Sequence, residues 1–339
     1  MAKTRRDSNI DLLRIIAMFF VLVLHANFTS LGIPTKASLI DAPIREGGRI
    51  LLESFSIVAV NVYVLLSGWY GIHFKFERLC EFVFQVFFFS IVGAVVALSA
   101  QGKSFFDVFQ KGILLMDNNS YWFVKSYLLL YVVSPILESF VTVTKEREFG
   151  VLLLLFFLFE FVYGFGKGCP WFSGGYSTIH FIGLYLLARF TRIYLLDRWR
   201  VSSRVSFLSY LSISILSASL FVLSLFLLRP AGWTGVFSYE SPLVILSALM
   251  LVIYFSKVKI ASNRIINTIA ISCFAVYLLH NNPFIFDYYI DAVQYIVQQG
   301  SWLLLPVFLV LVFFASIAID KLRIRLWQVI IKRTCWADE

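Results

Sequence analysis

An arginine and a histidine interrupt the apolar run "DLLRIIAMFFVLVLHANF" at residues 11–28. If the run is helical, the eleven residues from Arg14 to His25 make about three turns at roughly 100° per residue. Both side chains then share one face, about 16 Å apart along the axis. A charge in apolar surroundings is costly and is kept for a partner or a task. Asp11 stands three residues before Arg14 and can pair with it. Near a membrane edge Arg14 can also be an anchor whose long side chain reaches water. The imidazole of His25 titrates near neutrality and can accept and return a proton. It can equally be a satisfied residue inside a bundle.

Further polar groups sit in apolar context. His280 closes "FAVYLLHNNPF", followed by Asn281 and Asn282, with Tyr277 one turn earlier. The amides suit sugar hydroxyls, whereas a histidine at a helix end is often only a cap. "SYWFVKSYLLLYVVSPI" opens with Tyr121 and Trp122, an interfacial aromatic belt, and places Lys125 where it faces either water or the bundle. Glu160 and Asn61 are additional polar intrusions. Pro135 kinks its segment or ends a local turn, and Ser67-Gly68 permits close helix approach. No zinc-type cluster, P-loop, G-x-S-x-G elbow or haem motif occurs, and no metal is expected.

The elements that must position these residues follow from hydropathy. Of 339 residues 60% are hydrophobic and 14% charged, and the mean hydropathy is +0.83. A soluble domain carries far more charge. Ten apolar stretches approach the roughly 20 residues needed to cross about 30 Å of hydrocarbon. They lie near 9–30, 50–71, 79–99, 122–142, 149–165, 176–190, 205–228, 242–256, 265–286 and 302–320. The expected fold is an all-α polytopic bundle of about ten helices in one transmembrane domain, residues 1–339. The first run lacks a small-residue cleavage site and reads as a retained span.

The net charge of +9 does not point to nucleic acid, because its placement alternates. With the N-terminus cytoplasmic, 20 Lys and Arg fall in cytoplasmic segments and 7 outside, with Arg14 and Lys125 inside spans. That is the positive-inside pattern, and it places both termini in the cytoplasm. The basic segment "RFTRIYLLDRWR" (189–200) reads as a loop, either an anchor at anionic headgroups or a dock for a phosphate-bearing ligand. Residues 104–116, "SFFDVFQKGILLM", suggest a short interfacial helix. Residues 281–301 read as an external connection without Lys or Arg. His73 and His180 fall at opposite membrane edges. Four cysteines suggest no disulfide framework.

Four blocks, in order, resemble the acyltransferase-3 family of integral-membrane O-acyltransferases. "NIDLLRIIAMFFVLVLHA" is similar to its first span, with an arginine, ten residues and a histidine. "VNVYVLLSGWYG" resembles the block ending in Ser-Gly-aromatic. "YWFVKSYLLLYVVSPIL" resembles the block from Trp-Phe to Ser-Pro, and "ISCFAVYLLHNNPFI" the late block in which a Tyr precedes a His. The size, without an appended esterase-like domain, resembles stand-alone members that acetylate bacterial surface polysaccharides. One block departs: many members carry two arginines at the start of the third span, and here "HFKFERLCEF" offers Lys75 and Arg78.

The resemblance implies an O-acetyltransferase in a bacterial cell membrane, with cytoplasmic acetyl-CoA as donor. The acceptor would be an envelope polysaccharide or its lipid-linked saccharide precursor, with membrane lipids as surroundings and no nucleic acid as partner. It implies Arg14, Lys75 and Arg78 at the donor, and His25 as general base or acyl carrier. Trp122, Lys125, Tyr277, His280 and Asn281 would meet the acceptor. The competing class is a transporter or flippase for a polar or lipid-linked solute, which polar intrusions in ten spans suit equally. Transporters of this size often show repeats or interrupted helices, and neither is visible.

Overall fold

The computed structural model describes residues 7–102, 104–109, 121–227 and 232–333. Among them helices dominate and no strand occurs. In chain order the helices begin with α1 Ser8–Leu24, α2 Lys36–Asp41, α3 Pro43–Ser56, α4 Ala59–Tyr70 and α5 Phe76–Ala100. Next come α6 Phe105–Val108, α7 Trp122–Val143, α8 Glu146–Phe159, α9 Thr178–Phe190 and α10 Leu196–Trp199. The last five are α11 Ser203–Leu227, α12 Pro242–Lys257, α13 Arg264–His280, α14 Phe286–Gln298 and α15 Leu304–Arg333.

Nine helical stretches among the described residues are long and apolar enough to cross a bilayer, and they fall on nine of the ten expected segments. The chain is an all-α, multi-pass membrane protein. The segment expected at 265–286 is shorter. It is α13, 17 residues long, or about 26 Å of helix. Asn282 ends it: its Oδ1 accepts from the Phe284 amide at 3.0 Å, turning the chain before Pro283 can be accommodated. The 281–301 connection then contains α14, a helix rather than an open loop. The expected interfacial helix at 104–116 is seen only as α6, and residues 110–116 lie outside the described residues, as does Cys335.

The chain divides into two compact units. The first holds α1–α4, α7 from Lys125 onward, and α8–α12. Its helices start and stop on local signals. Thr35 and Ser38 form a reciprocal capping box at α2. Pro43 and Pro242 stand at the first positions of α3 and α12, where a missing N–H costs nothing. In α7 the Pro135 ring removes the amide that would bond the Tyr131 carbonyl. Ser134 Oγ donates to that carbonyl instead, at 2.7 Å, so the helix passes through the proline unbroken.

Packing in this unit relies on small residues. A Cβ at Gly68 of α4 would lie 2.3 Å from the Tyr185 carbonyl oxygen of α9, so the two backbones touch as in small-residue membrane interfaces. Helix α11 presents Ser206, Ser214, Ser217 and Ser224 as buried residues, with Ser214 and Ser247 of α12 sharing a 3.1 Å hydrogen bond. At one end of the unit the start of α1 meets the ends of α4 and α12. Tyr70 Oη donates to Asp7 at 3.0 Å, Asn9 Nδ2 to the Phe255 carbonyl at 2.7 Å, and the Asn263 amide to Ser8 at 2.8 Å. The antiparallel threading that alternating loops require is therefore present within this unit.

The second unit holds α5, α6 and α13–α15. Its buried ion pair is Arg323 with Asp320, at 2.9 and 3.1 Å. Gln85 Nε2 also donates to Asp320 at 3.0 Å, and Arg323 reaches Glu81 at 3.2 Å. Donors and acceptors are thus matched where α15 meets α5, which is what makes a buried guanidinium tolerable.

Candidate functional site

Helix α1 carries Asp11, Arg14, Met18, Val21 and His25 at spacings of three and four, a single stripe. Asp11, Met18 and Val21 are buried, so the stripe faces protein, while Arg14 and His25 are half-buried. The helix is regular to Leu24, which preserves the separation of about 16 Å. Arg14 Nη1 contacts Asp11 Oδ1 at 2.6 Å, and its side chain keeps 33% exposure. Tyr63 Oη donates to the Arg14 carbonyl at 2.7 Å. Ser67, one turn along α4, shares a 3.0 Å hydrogen bond with Tyr127 of α7.

His25 opens a π-helical turn, His25–Thr29. Two further π turns begin at Glu160 and Thr191. Such turns are rare and recur at functional positions, because the extra residue re-aims side chains. Here the turn is fixed from both sides. Ser30 Oγ donates to the His25 carbonyl at 2.6 Å. Asn27 Nδ2 donates to Glu53 Oε2 at 2.8 Å and to the Arg49 carbonyl at 2.9 Å. Arg49 returns a hydrogen bond to Asn27 Oδ1 at 3.0 Å and pairs with Glu46 at 2.7 Å. Glu53 and Glu46 are both buried. This network escaped sequence reading: the only signal was charged residues 45–53 alternating in sign beside the second span.

At the end of the unit where α1 starts, three of the four arginines of residues 189–200 are committed. This segment is helical, not a loop: α9 continues through the π turn Thr191–Leu195 into α10. Arg189 pairs with Glu138 at 3.0 Å, and Tyr185 Oη donates to the same carboxylate. Arg192 donates to the Trp69 carbonyl, with its guanidinium 4.9 Å from the Tyr70 ring centre. Arg198 pairs with Glu146 at 2.7 Å. These contacts stitch the segment to α4, α7 and α8, which is why it stays helical. Lys125 is half-buried in α7.

In the second unit Lys75 is the N-cap residue of α5 and Arg78 lies in its first turn, both exposed. Far along α5, Asn282 Nδ2 donates to the Phe89 carbonyl at 3.0 Å and to Tyr121 Oη at 2.9 Å. Tyr121 in turn donates to the Leu278 carbonyl at 2.5 Å. Tyr121 holds a left-handed φ of 50°, costly for a bulky residue, and burial raises its phenol well above the usual range. Tyr277 packs on Tyr121 and Phe123, with ring centres 5.9 and 6.0 Å away, and Phe123 contacts Trp122 at 5.9 Å. His280 is buried, its Nδ1 2.5 Å from the Val276 carbonyl and its ring 5.3 Å from Tyr289. Burial likewise raises the Tyr289 phenol. Asn281 is half-buried beside the engaged Asn282.

The candidate residues thus form groups. Arg14 and His25 share a stripe in the first unit, Tyr277 and His280 pack near Trp122 in the second, and Lys75 and Arg78 lie at the far end of α5. Arg78 and Phe89 are eleven residues apart, about 16 Å of helix. A separate groove of about 570 Å³ in the first unit, lined by Phe140, Phe149, Leu153, Phe156, Phe172 and Leu186, is apolar and holds none of them.

The described residues form a multi-pass helical bundle in which Arg14 and His25 share one stripe of the first helix. Residues 7–321 match the acyltransferase-domain family, Acyl_transf_3, and the chain belongs to it. No curated protein and no solved structure matches the chain. The protein is a membrane acyltransferase.

Proposed function

We propose that the chain moves an acetyl group from cytoplasmic acetyl-CoA to a hydroxyl of an envelope polysaccharide or its lipid-linked precursor. The observation that carries this reading is the α1 stripe, in which Arg14 and His25 are half-open between fully buried neighbours. The resemblance of the chain's size and single domain to stand-alone members that acetylate surface polysaccharides supports the acceptor class. The charge asymmetry supports a cytoplasmic N-terminus, C-terminus and donor side.

In this reading Arg14 steadies the donor, its charge balanced by Asp11. Lys75 and Arg78, exposed at the start of α5, attract the donor phosphates. His25 accepts the proton of the attacking hydroxyl. The hydroxyl oxygen bonds to the thioester carbon, the carbon–sulfur bond breaks, and the proton passes to the departing thiolate. Trp122, Lys125, Tyr277, His280 and Asn281 contact the acceptor, aromatic faces against sugar rings and polar groups against hydroxyls.

A general base is worth about 10²–10⁴-fold in rate. Purified protein in lipid nanodiscs is therefore expected to release CoA from acetyl-CoA in the presence of acceptor glycan. His25→Ala should lose at least about a hundredfold of that rate while inserting and melting normally. Acetylation by His25→Ala at the native rate would overturn the assignment of the base. Indifference of the native protein to acetyl-CoA would overturn the donor.

A further inference from the structure

Four polar side chains meet in the first unit on the face of α4 turned away from Arg14. Asn61, Leu65 and Gly68 share the α4 face that meets α9, whereas Tyr63 and Ser67 lie on the opposite side. Asn61 Nδ2 donates to the Tyr239 carbonyl at 2.8 Å, which turns Oδ1 toward His180 Nε2 at 3.4 Å. His180 Nδ1 lies 2.7 Å from Glu160 Oε1. Glu240 feels both Glu160 and His180 electrostatically, and a Cβ at Gly164, four residues beyond Glu160, would come 2.9 Å from Glu240 Oε2. Asn61 and His180 are 0% exposed, Glu160 1% and Glu240 5%.

Proton counting follows from this geometry. Both ring nitrogens of His180 face acceptors, a carboxylate oxygen and an amide oxygen. With Glu160 ionised, a neutral imidazole, which has a single N–H, leaves one lone pair opposing an oxygen, whereas an imidazolium donates to both. Glu160 Oε2 and Glu240 Oε2 are each buried without a hydrogen-bond partner among the described residues. Buried lone pairs of this kind call for a proton donor. Two ionised carboxylates and one imidazolium would leave a net negative charge in a fully buried site, which is expensive. One added carboxyl proton makes the cluster neutral. Among the described residues, Tyr239 and Tyr176, which share a hydrogen bond, are further titratable groups on this side, and Tyr176 feels Glu53 electrostatically.

We propose that Asn61, Glu160, His180 and Glu240 form a buried proton-binding site, with His180 held as an imidazolium between Glu160 and Asn61 and one further proton on the Glu160–Glu240 carboxyl pair. The site stands independently of the acyl-transfer reading, since none of its members lies on the α1 stripe.

The test uses the full-length protein in nanodiscs with ¹⁵N-labelled histidine, the His180 signals being assigned by their loss in His180→Gln. Wild type should show a doubly protonated His180 ring when measured at about pH 8. Glu160→Gln should convert it to the neutral pattern. Infrared spectra should contain the carbonyl band of a protonated carboxyl, shifted in D₂O and absent from Glu240→Gln. That variant should fold, because an amide reproduces the shape and donor of a protonated carboxyl. A neutral His180 ring in wild type at that pH would overturn the imidazolium. An infrared spectrum unchanged by Glu240→Gln would overturn the shared proton.

Discussion

Tyr63 Oη donates to the backbone carbonyl of Arg14 at 2.7 Å, so α4 sets the height of α1 at its guanidinium. The Arg14 carbonyl keeps its place in the helical ladder without the phenol, and the stability cost of losing one such bond is about 1 kcal/mol. Tyr63→Phe should therefore insert and melt almost normally. Its effect should fall on the donor, raising KM for acetyl-CoA severalfold with a smaller change in kcat. Steady-state kinetics at varied donor concentration check this. A drop in kcat with KM unchanged would mean that Tyr63 serves the chemistry rather than the placement of Arg14.

The contact of Gly68 with Tyr185 makes a second prediction about the Ser-Gly-aromatic block. A methyl group at Gly68 has no room, because the obstacle is α9 backbone rather than a movable side chain. Gly68→Ala should force α4 and α9 apart and cost about 1–3 kcal/mol, as overpacking does. At Gly48 of α3 the space a Cβ would fill is open, with nothing within 4 Å, and Gly48→Ala should leave stability unchanged or slightly improved. Thermal melts of the two variants in detergent should move in different directions.

How much was legible in the sequence depends on whether a feature is local. Membrane spans are, since crossing hydrocarbon needs a contiguous apolar run. The ends of the spans were less readable. Helix α3 begins at Pro43 rather than near residue 50, because Arg45, Glu46 and Arg49 neutralise one another and let charged residues stay helical. The stripe of Arg14 and His25 was visible because both belong to one helix. The His180–Glu160 contact was not, since its partners stand twenty residues apart on different elements. The 189–200 segment read as a loop because of its arginines, whereas three of them have carboxylate or carbonyl partners that only the fold supplies.

The Ser-Pro pair of α7 makes a prediction about redundancy. Ser134 donates to the Tyr131 carbonyl because Pro135 cannot. Ser134→Ala leaves that part-buried acceptor unpaired and should cost about 1 kcal/mol. Replacing Pro135 with alanine restores the backbone donor, so Ser134→Ala should cost much less in a Pro135→Ala background. A double-mutant cycle in melting free energy measures the coupling. Additive losses would show that the serine acts elsewhere.

The network behind His25 should be as sensitive as the histidine itself. Asn27 donates to Glu53 and to the Arg49 carbonyl while accepting from Arg49. Asn27→Leu removes all three side-chain hydrogen bonds at once and leaves the buried Glu53 side chain short of a donor, which costs about 1–3 kcal/mol. The π turn that begins at His25 then keeps only the bonds its backbone makes to α3, such as that from Arg49 Nη2 to the Asn27 carbonyl at 3.4 Å. Acetylation should fall at least tenfold even where protein remains in the membrane. Glu53→Gln keeps an oxygen acceptor for Asn27, so it should be tolerated alone, and its own amide donor should partly restore Asn27→Leu. If the double variant melts lower than Asn27→Leu, Glu53 is stabilised by groups other than Asn27, and the tether must be sought in Arg49 and Glu46.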